Sequence, residues 1–147
     1  MLSESTLLVR PEHLNHHGFL FGGRLLEWLD EQAYLAAIAR MDPRANLVTV
    51  GIDRVAFRYQ VREGAVLRFR SRVVHLGRTS ITIQTRVLRM PEEREIFSAY
   101  VTFVALNRKG QPTPVAPLLV KAFAPKTPEE RRLWQGVEEA RKRRRSK

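Results

Sequence analysis

The sequence predicts an α+β protein in which one antiparallel sheet packs against a single long helix. Three observations lead there. One stretch, from Gly22 to about Arg40, repeats its apolar residues at helical spacing. Four later stretches, 47–59, 65–75, 79–89 and 95–106, are rich in Val, Ile, Thr, Phe and Tyr and follow a period of two. The connections VREG, LGR and MPEER are too short to hold crossover helices, so consecutive strands are expected to pair antiparallel.

In chain order, residues 5–9 read as a short strand stopped near Arg10 and Pro11, and PEHLNHHG reads as a loop. In the helix, Leu25, Leu29, Ala33, Ala36 and Arg40 share one side, flanked by Leu26 and Ala37, and Asp42–Pro43 ends the pattern. At 1.5 Å per residue the helix spans roughly 28 Å, enough to cross several strands. In TSITIQTRVL, Ile81, Ile83 and Val87 alternate with Thr82, Gln84 and Arg86, as in a sheet covered on one face. After NRKG the chain is broken by prolines. A terminal helix is then expected, with Thr127 as its cap, Pro128 and two glutamates in its first turn and basic residues at its end. The chain divides into one domain over 1–124 and a basic helix or tail over 125–147.

Its 147 residues suit a single domain, and 44% apolar with 28% charged residues is a globular balance. No run approaches the roughly 18 apolar residues of a membrane span, and no signal peptide opens the chain, so a cytoplasmic protein is expected. With no cysteine, disulfides, thiolate metal sites and cysteine nucleophiles are excluded. The net charge of +11 implies an anionic partner, either nucleic acid or a phosphorylated small molecule. Six basic residues crowd 141–147, where a solvated end is the plainer reading.

The chemistry-bearing residues gather around NHHGFLFGGRLLEWLD. Gly22 and Gly23 leave the helix's first N–H groups open to close approach, either as an oxyanion hole or as a tight turn. Asp30 lies on the shoulder of the apolar stripe, where a partly covered carboxylate is a candidate general base or a rim contact. Asn15 could hold water or a carbonyl, or form a local turn. His13, His16 and His17 lack the ligand set of a metal site, and no metal is expected. A nucleophile elbow, G-x-G-x-x-G and Walker A are absent, which leaves water as the nucleophile of any enzyme reading. On the sheet, Arg68, Arg70 and Arg72 share one face, and the turn Gly77, Arg78, Thr79, Ser80 offers N–H groups, a guanidinium and hydroxyls to phosphates.

Taken together, RPEHLNHHGFLFGGRLLEWLDEQAYLAA, the GRTS turn and YVTFVALNRKGQPTPVAPL make residues 5 to 118 resemble the hotdog-fold acyl-CoA thioesterases, the YciA-like and cytosolic brain-type acyl-CoA hydrolases. Where relatives often have Pro-Val and then Gly-Asp, this chain has Tyr59, Gln60, Val61, Arg62, Glu63, Gly64 and Ala65. The resemblance implies an antiparallel sheet wrapped around the central helix and hydrolysis of a fatty acyl-CoA to free acid and coenzyme A. Asp30 would match the catalytic carboxylate, as general base or nucleophile. Asn15 would match the motif asparagine, Gly22 and Gly23 the amides that polarise the carbonyl, and Gly77–Ser80 the region near the nucleotide of coenzyme A, with Arg68 and Arg70 adding phosphate contacts. No cofactor is implied. Protomers would join as a homodimer or dimer-based homohexamer, with Asn15 of one chain meeting Asp30 of the next. A non-catalytic module binding coenzyme A ligands and an RNA-binding protein are the alternatives.

Overall fold

The computed structural model describes residues 2–120, 125 and 127–146. Its elements are β1 (Leu2–Leu8), α1 (Gly22–Ile38), β2 (Asn46–Phe57), β3 (Val66–Leu76), β4 (Ser80–Met90), β5 (Arg94–Leu106) and α2 (Pro128–Arg145), with single 3₁₀ turns at Pro11–His13 and Ala116–Leu118. The five strands form one sheet in the order β1-β3-β4-β5-β2, every pair antiparallel. No helix among the described residues is long and apolar enough to cross a membrane.

The apolar stripe of α1 lies as its spacing predicts. Leu25, Leu29, Ala33, Ala36 and Ala37 are buried. They meet the inner face of the sheet, where Leu67, Phe69 and Val73 of β3, Ile81, Ile83 and Val87 of β4, and Phe97, Val101 and Phe103 of β5 are closed to solvent. Alanines on the helix allow close approach, and the aromatic rings fill the remaining volume. Trp28 meets Phe69 edge-on at 6.4 Å, and Tyr34 meets Phe103 at 6.0 Å. Ser71 and Thr85, a buried polar pair among the apolar side chains under the helix, are satisfied by a mutual bond of 2.8 Å. Arg40, the last residue of the stripe, is also buried and donates Nη1 to the Ala36 carbonyl at 2.7 Å, satisfying a group at the helix end. Burial holds its pKa below the usual guanidinium value.

Two expectations about the strands are corrected. β1 begins at Leu2 instead of residue 5, because an edge strand needs backbone partners more than apolar side chains. Ser3, Glu4 and Ser5 pair in register with Ser71, Arg70 and Phe69, and Ser5 Oγ donates to Gln32 of α1 at 2.6 Å. Consecutive pairing also fails between β2 and β3. β2 lies beside β5 at the far edge, while β3 lies between β1 and β4. The link 58–65 is eight residues, long enough to reach about 26 Å, whereas three strand spacings need only about 14 Å.

α2 starts where Thr127 and Glu130 form a reciprocal cap. It is tied to the outer face of the sheet by Arg72 Nη2 bonded to Glu129 at 3.1 Å and by Arg54 Nη2 donating to the Gly136 carbonyl at 3.2 Å. The expected division after residue 124 falls on residues outside the described ones.

Replacing Phe69, which is 1% exposed, by alanine is expected to lower stability by about 3–5 kcal/mol. At fixed protomer concentration, chemical denaturation would show an earlier midpoint with an unchanged slope. Beyond α1, the Asp42 carboxylate accepts the Arg44 N–H at 2.8 Å and two guanidinium bonds at 3.0 and 2.9 Å. These bonds hold its pKa down at about 2. Because the folded value is depressed, the stabilisation is full above the ordinary carboxylate value and is lost as pH falls through about 2. A carboxyl NMR titration is expected to find that midpoint, and Arg44→Ala to raise it.

Candidate active site

The start of α1 is built by the loop before it. Leu14 and Leu20 bridge antiparallel, the Asn15 N–H donates to the Phe19 carbonyl at 2.7 Å, and Gly18 at φ 81° makes the reversal. Asn15 Oδ1 accepts the N–H groups of His17 at 2.9 Å and Phe19 at 3.1 Å. Because two backbone donors require the oxygen there, the amide nitrogen of Asn15 is directed away from the turn as a donor. The histidines serve the loop: His13 Nδ1 accepts the Arg10 N–H at 2.9 Å and its ring meets Trp28 edge-on at 4.7 Å, while the His16 and His17 rings meet at 3.9 Å with a tilt of 42°.

Phe21 then caps α1 without a side-chain bond. Its N–H donates to His13, and its carbonyl accepts Arg24 at 3.0 Å and Leu25 at 3.2 Å. The N–H groups of Gly22 and Gly23 have no backbone acceptor among the described residues. They therefore remain available at the positive end of the helix. A Cβ on Gly23 would stand 2.7 Å from the Phe21 ring, and one on Gly22 would stand 3.4 Å from Phe57, so side chains here would crowd the approach. Beside them opens a cleft of about 260 Å³ lined by Leu20, Gly22, Leu25, Phe57, Tyr59 and Val61, with Arg58 and Gln60.

Asp30 is half-buried, two turns further along α1, and Oδ1 accepts the hydroxyl of Thr49 on β2 at 2.8 Å. Thr49 is the residue that sequence reasoning missed. It precedes a bulge between Thr49 and Gly51, which re-aims side chains on this edge strand. Gly51 inside a strand pattern was the only local signal of it.

The turn Gly77–Ser80 lies on the Asp30 side of the molecule. Gly77 N–H donates to the Ser80 carbonyl at 2.9 Å, the Arg78 carbonyl accepts Val115 at 2.9 Å, and Ile81 pairs with Phe103, the partner of Thr49. Arg78 is exposed and forms no ion pair among the described residues. Arg68 and Arg70 are not brought to this turn. They lie on the outer face of β3, roughly 20 Å or more along the strand from Gly77. Glu93 pairs with both, at 3.8 and 2.8 Å, and Glu4 with Arg70 at 2.8 Å.

One chain thus holds two separate groups. Asp30, Thr49 and the 77–80 turn form one; Asn15, Gly22, Gly23 and the cleft form the other. Asp30 is about 10 Å along the helix from Gly23. On β5, Phe97 beside Phe57 and Val104 beside Ser80 are roughly 24 Å apart.

Residues 17–95 match the model of the thioesterase superfamily. The cytosolic acyl coenzyme A thioester hydrolase of Rattus norvegicus is 30% identical over 141 residues, covering 90% of this chain and 35% of that protein. The chain therefore spans about a third of the length of that relative. Among solved structures, an apo-hexameric acyl-CoA thioesterase is 32% identical with a TM-score of 0.84, covering 99% of this chain and 91% of the other. The acyl-CoA hydrolase of Staphylococcus aureus, solved with butyryl coenzyme A, coenzyme A and coenzyme A disulfide, is 26% identical with a TM-score of 0.83, covering 99% and 84%. With its helix-bearing antiparallel hotdog sheet and the superfamily match across more than half its length, the chain belongs to the thioesterase superfamily.

Proposed function

We propose that the protein is an acyl-CoA thioesterase of the cytosol whose active sites form between two protomers. The observation that supports this best is the division of the site residues into two groups that one helix holds apart. β2 is a sheet edge, and its exposed Val48, Val50, Val55 and Phe57 form an apolar border without a partner strand among the described residues. Antiparallel pairing of this edge with the same edge of a second chain, about a two-fold axis near its middle, sets the Thr49 end of one β2 against the Phe57 end of the other. Asp30 of one protomer then faces the Gly22 and Gly23 amides of the next. Further association of such dimers would give a hexamer like the one described for the relative above.

In this reading the two amides hold the thioester carbonyl and stabilise the charge that develops on its oxygen. Asp30, positioned by the Thr49 hydroxyl, takes the proton of the attacking water. The Asn15 amide nitrogen donates to water or to the substrate. Coenzyme A leaves as a thiolate, which needs less stabilisation than an alkoxide because a thiol is far more acidic. Arg78 and the hydroxyls of Thr79 and Ser80 receive phosphates. Arg68 and Arg70 contribute little there, since Glu4 and Glu93 already engage them.

Asp30→Asn is expected to reduce thiol release from acyl-CoA by about 10²–10⁴-fold with the fold retained. Thr49→Val should cost about tenfold, through a carboxylate that is less well oriented. Thiol detection with a panel of acyl-CoAs, alongside circular dichroism, measures both. Unchanged turnover in Asp30→Asn would remove the carboxylate from the reaction.

A further inference from the structure

The cleft beside Gly22 has a composition and size that select an acyl group. Leu20, Leu25, Val61 and the Phe57 ring supply much of its apolar lining. That ring is seated between the first turn of α1 and Phe97, whose centroid is 4.6 Å away and which is fully buried. The one charged group in the lining is Arg58, whose Nε donates to Glu95 at 3.1 Å, and most of the other lining side chains are apolar. An unsubstituted alkyl chain matches the lining. An apolar cavity of about 150 Å³ holds the six carbons of benzene, so about 260 Å³ accommodates roughly ten carbons.

We infer that this cleft is the acyl pocket, that its substrates are unsubstituted alkanoyl thioesters of short to medium length, and that Phe57 is the residue limiting that length. The inference rests on the reading that the Gly22 and Gly23 amides hold the carbonyl, which places the alkyl chain at the mouth of the cleft. Phe57 is 56% exposed in the single chain, so Phe57→Ala removes part of the cover of Phe97 and of the β2 border but no fully buried side chain.

The test is kcat/KM for saturated acyl-CoAs from acetyl to palmitoyl, measured on the parent, Phe57→Ala and Phe57→Trp, with oligomer size followed by light scattering. The parent is expected to peak near octanoyl or decanoyl and to fall at least about tenfold by palmitoyl. Phe57→Ala should move the peak to longer chains, and Phe57→Trp to shorter ones. Should Phe57→Ala fail to assemble, Phe57→Trp and Phe57→Leu still give opposite shifts. A parent that prefers palmitoyl, or assembled variants with the parent's profile, would overturn the inference while leaving hydrolysis intact. A parent that releases thiol from none of the series would overturn the thioesterase reading and the pocket assignment together.

Discussion

Asp30 and the free amides of Gly22 and Gly23 ride on one rigid helix, and the rise of that helix keeps them about 10 Å apart. No rotamer of an aspartate spans that gap to a shared carbonyl carbon. The catalytic arrangement proposed above therefore requires two copies of α1. The sheet holds α1 through its buried stripe of Leu25, Leu29, Ala33 and Ala36, which fixes the side on which Asp30 emerges. The order β1-β3-β4-β5-β2 leaves β2 as a border beside that emerging carboxylate, where Thr49 can reach it.

Much of this could be read from the residues in advance, and the limits have physical causes. The helix and the strands announced themselves because burial of one face imposes a period, and α1 was found to within two residues of its end. Asp30 was legible because its angular position on the helix follows from counting. The loop around Asn15 was legible in type, since a short polar side chain before a glycine favours a turn. Thr49 was not, because its meeting with Asp30 depends on where β2 enters the sheet, and β2 enters beside a strand that lies far along the sequence. The same blindness to long-range partners explains the arginines of β3. Their shared face followed from alternation, but Glu4, Glu93 and Glu129, which occupy them, come from three other segments.

Charge is the property most easily misread from composition alone. A net +11 suggests a broadly basic surface, yet the sheet's outer face is a mosaic of ion pairs: Arg70 with Glu4 and Glu93, Arg72 with Glu129, and Arg58 and Arg86 with Glu95. Several of these are largely exposed, so each contributes little to stability. Their effect is to reduce the field over that face. Six basic residues without an acid fall in 141–147, more than half of the net charge, so most of the surplus is concentrated in the last seven residues of the sequence. This weakens the case for RNA, which would need a continuous basic track across the fold. It leaves Arg78 as a guanidinium placed at a turn with backbone donors and hydroxyls beside it, which suits a compact phosphate group better than a polymer.

The double glycine that opens α1 links catalysis to specificity in this reading. A Cβ at Gly23 would press on the Phe21 ring at 2.7 Å and one at Gly22 would touch Phe57 at 3.4 Å, so the bare backbone lets both rings stand close against the start of the helix. The carbonyl site and the wall of the acyl cleft are therefore set by the same turn of backbone. Chain-length preference can change through the ring at position 57 without disturbing the amides, because the ring belongs to β2 and the amides belong to α1.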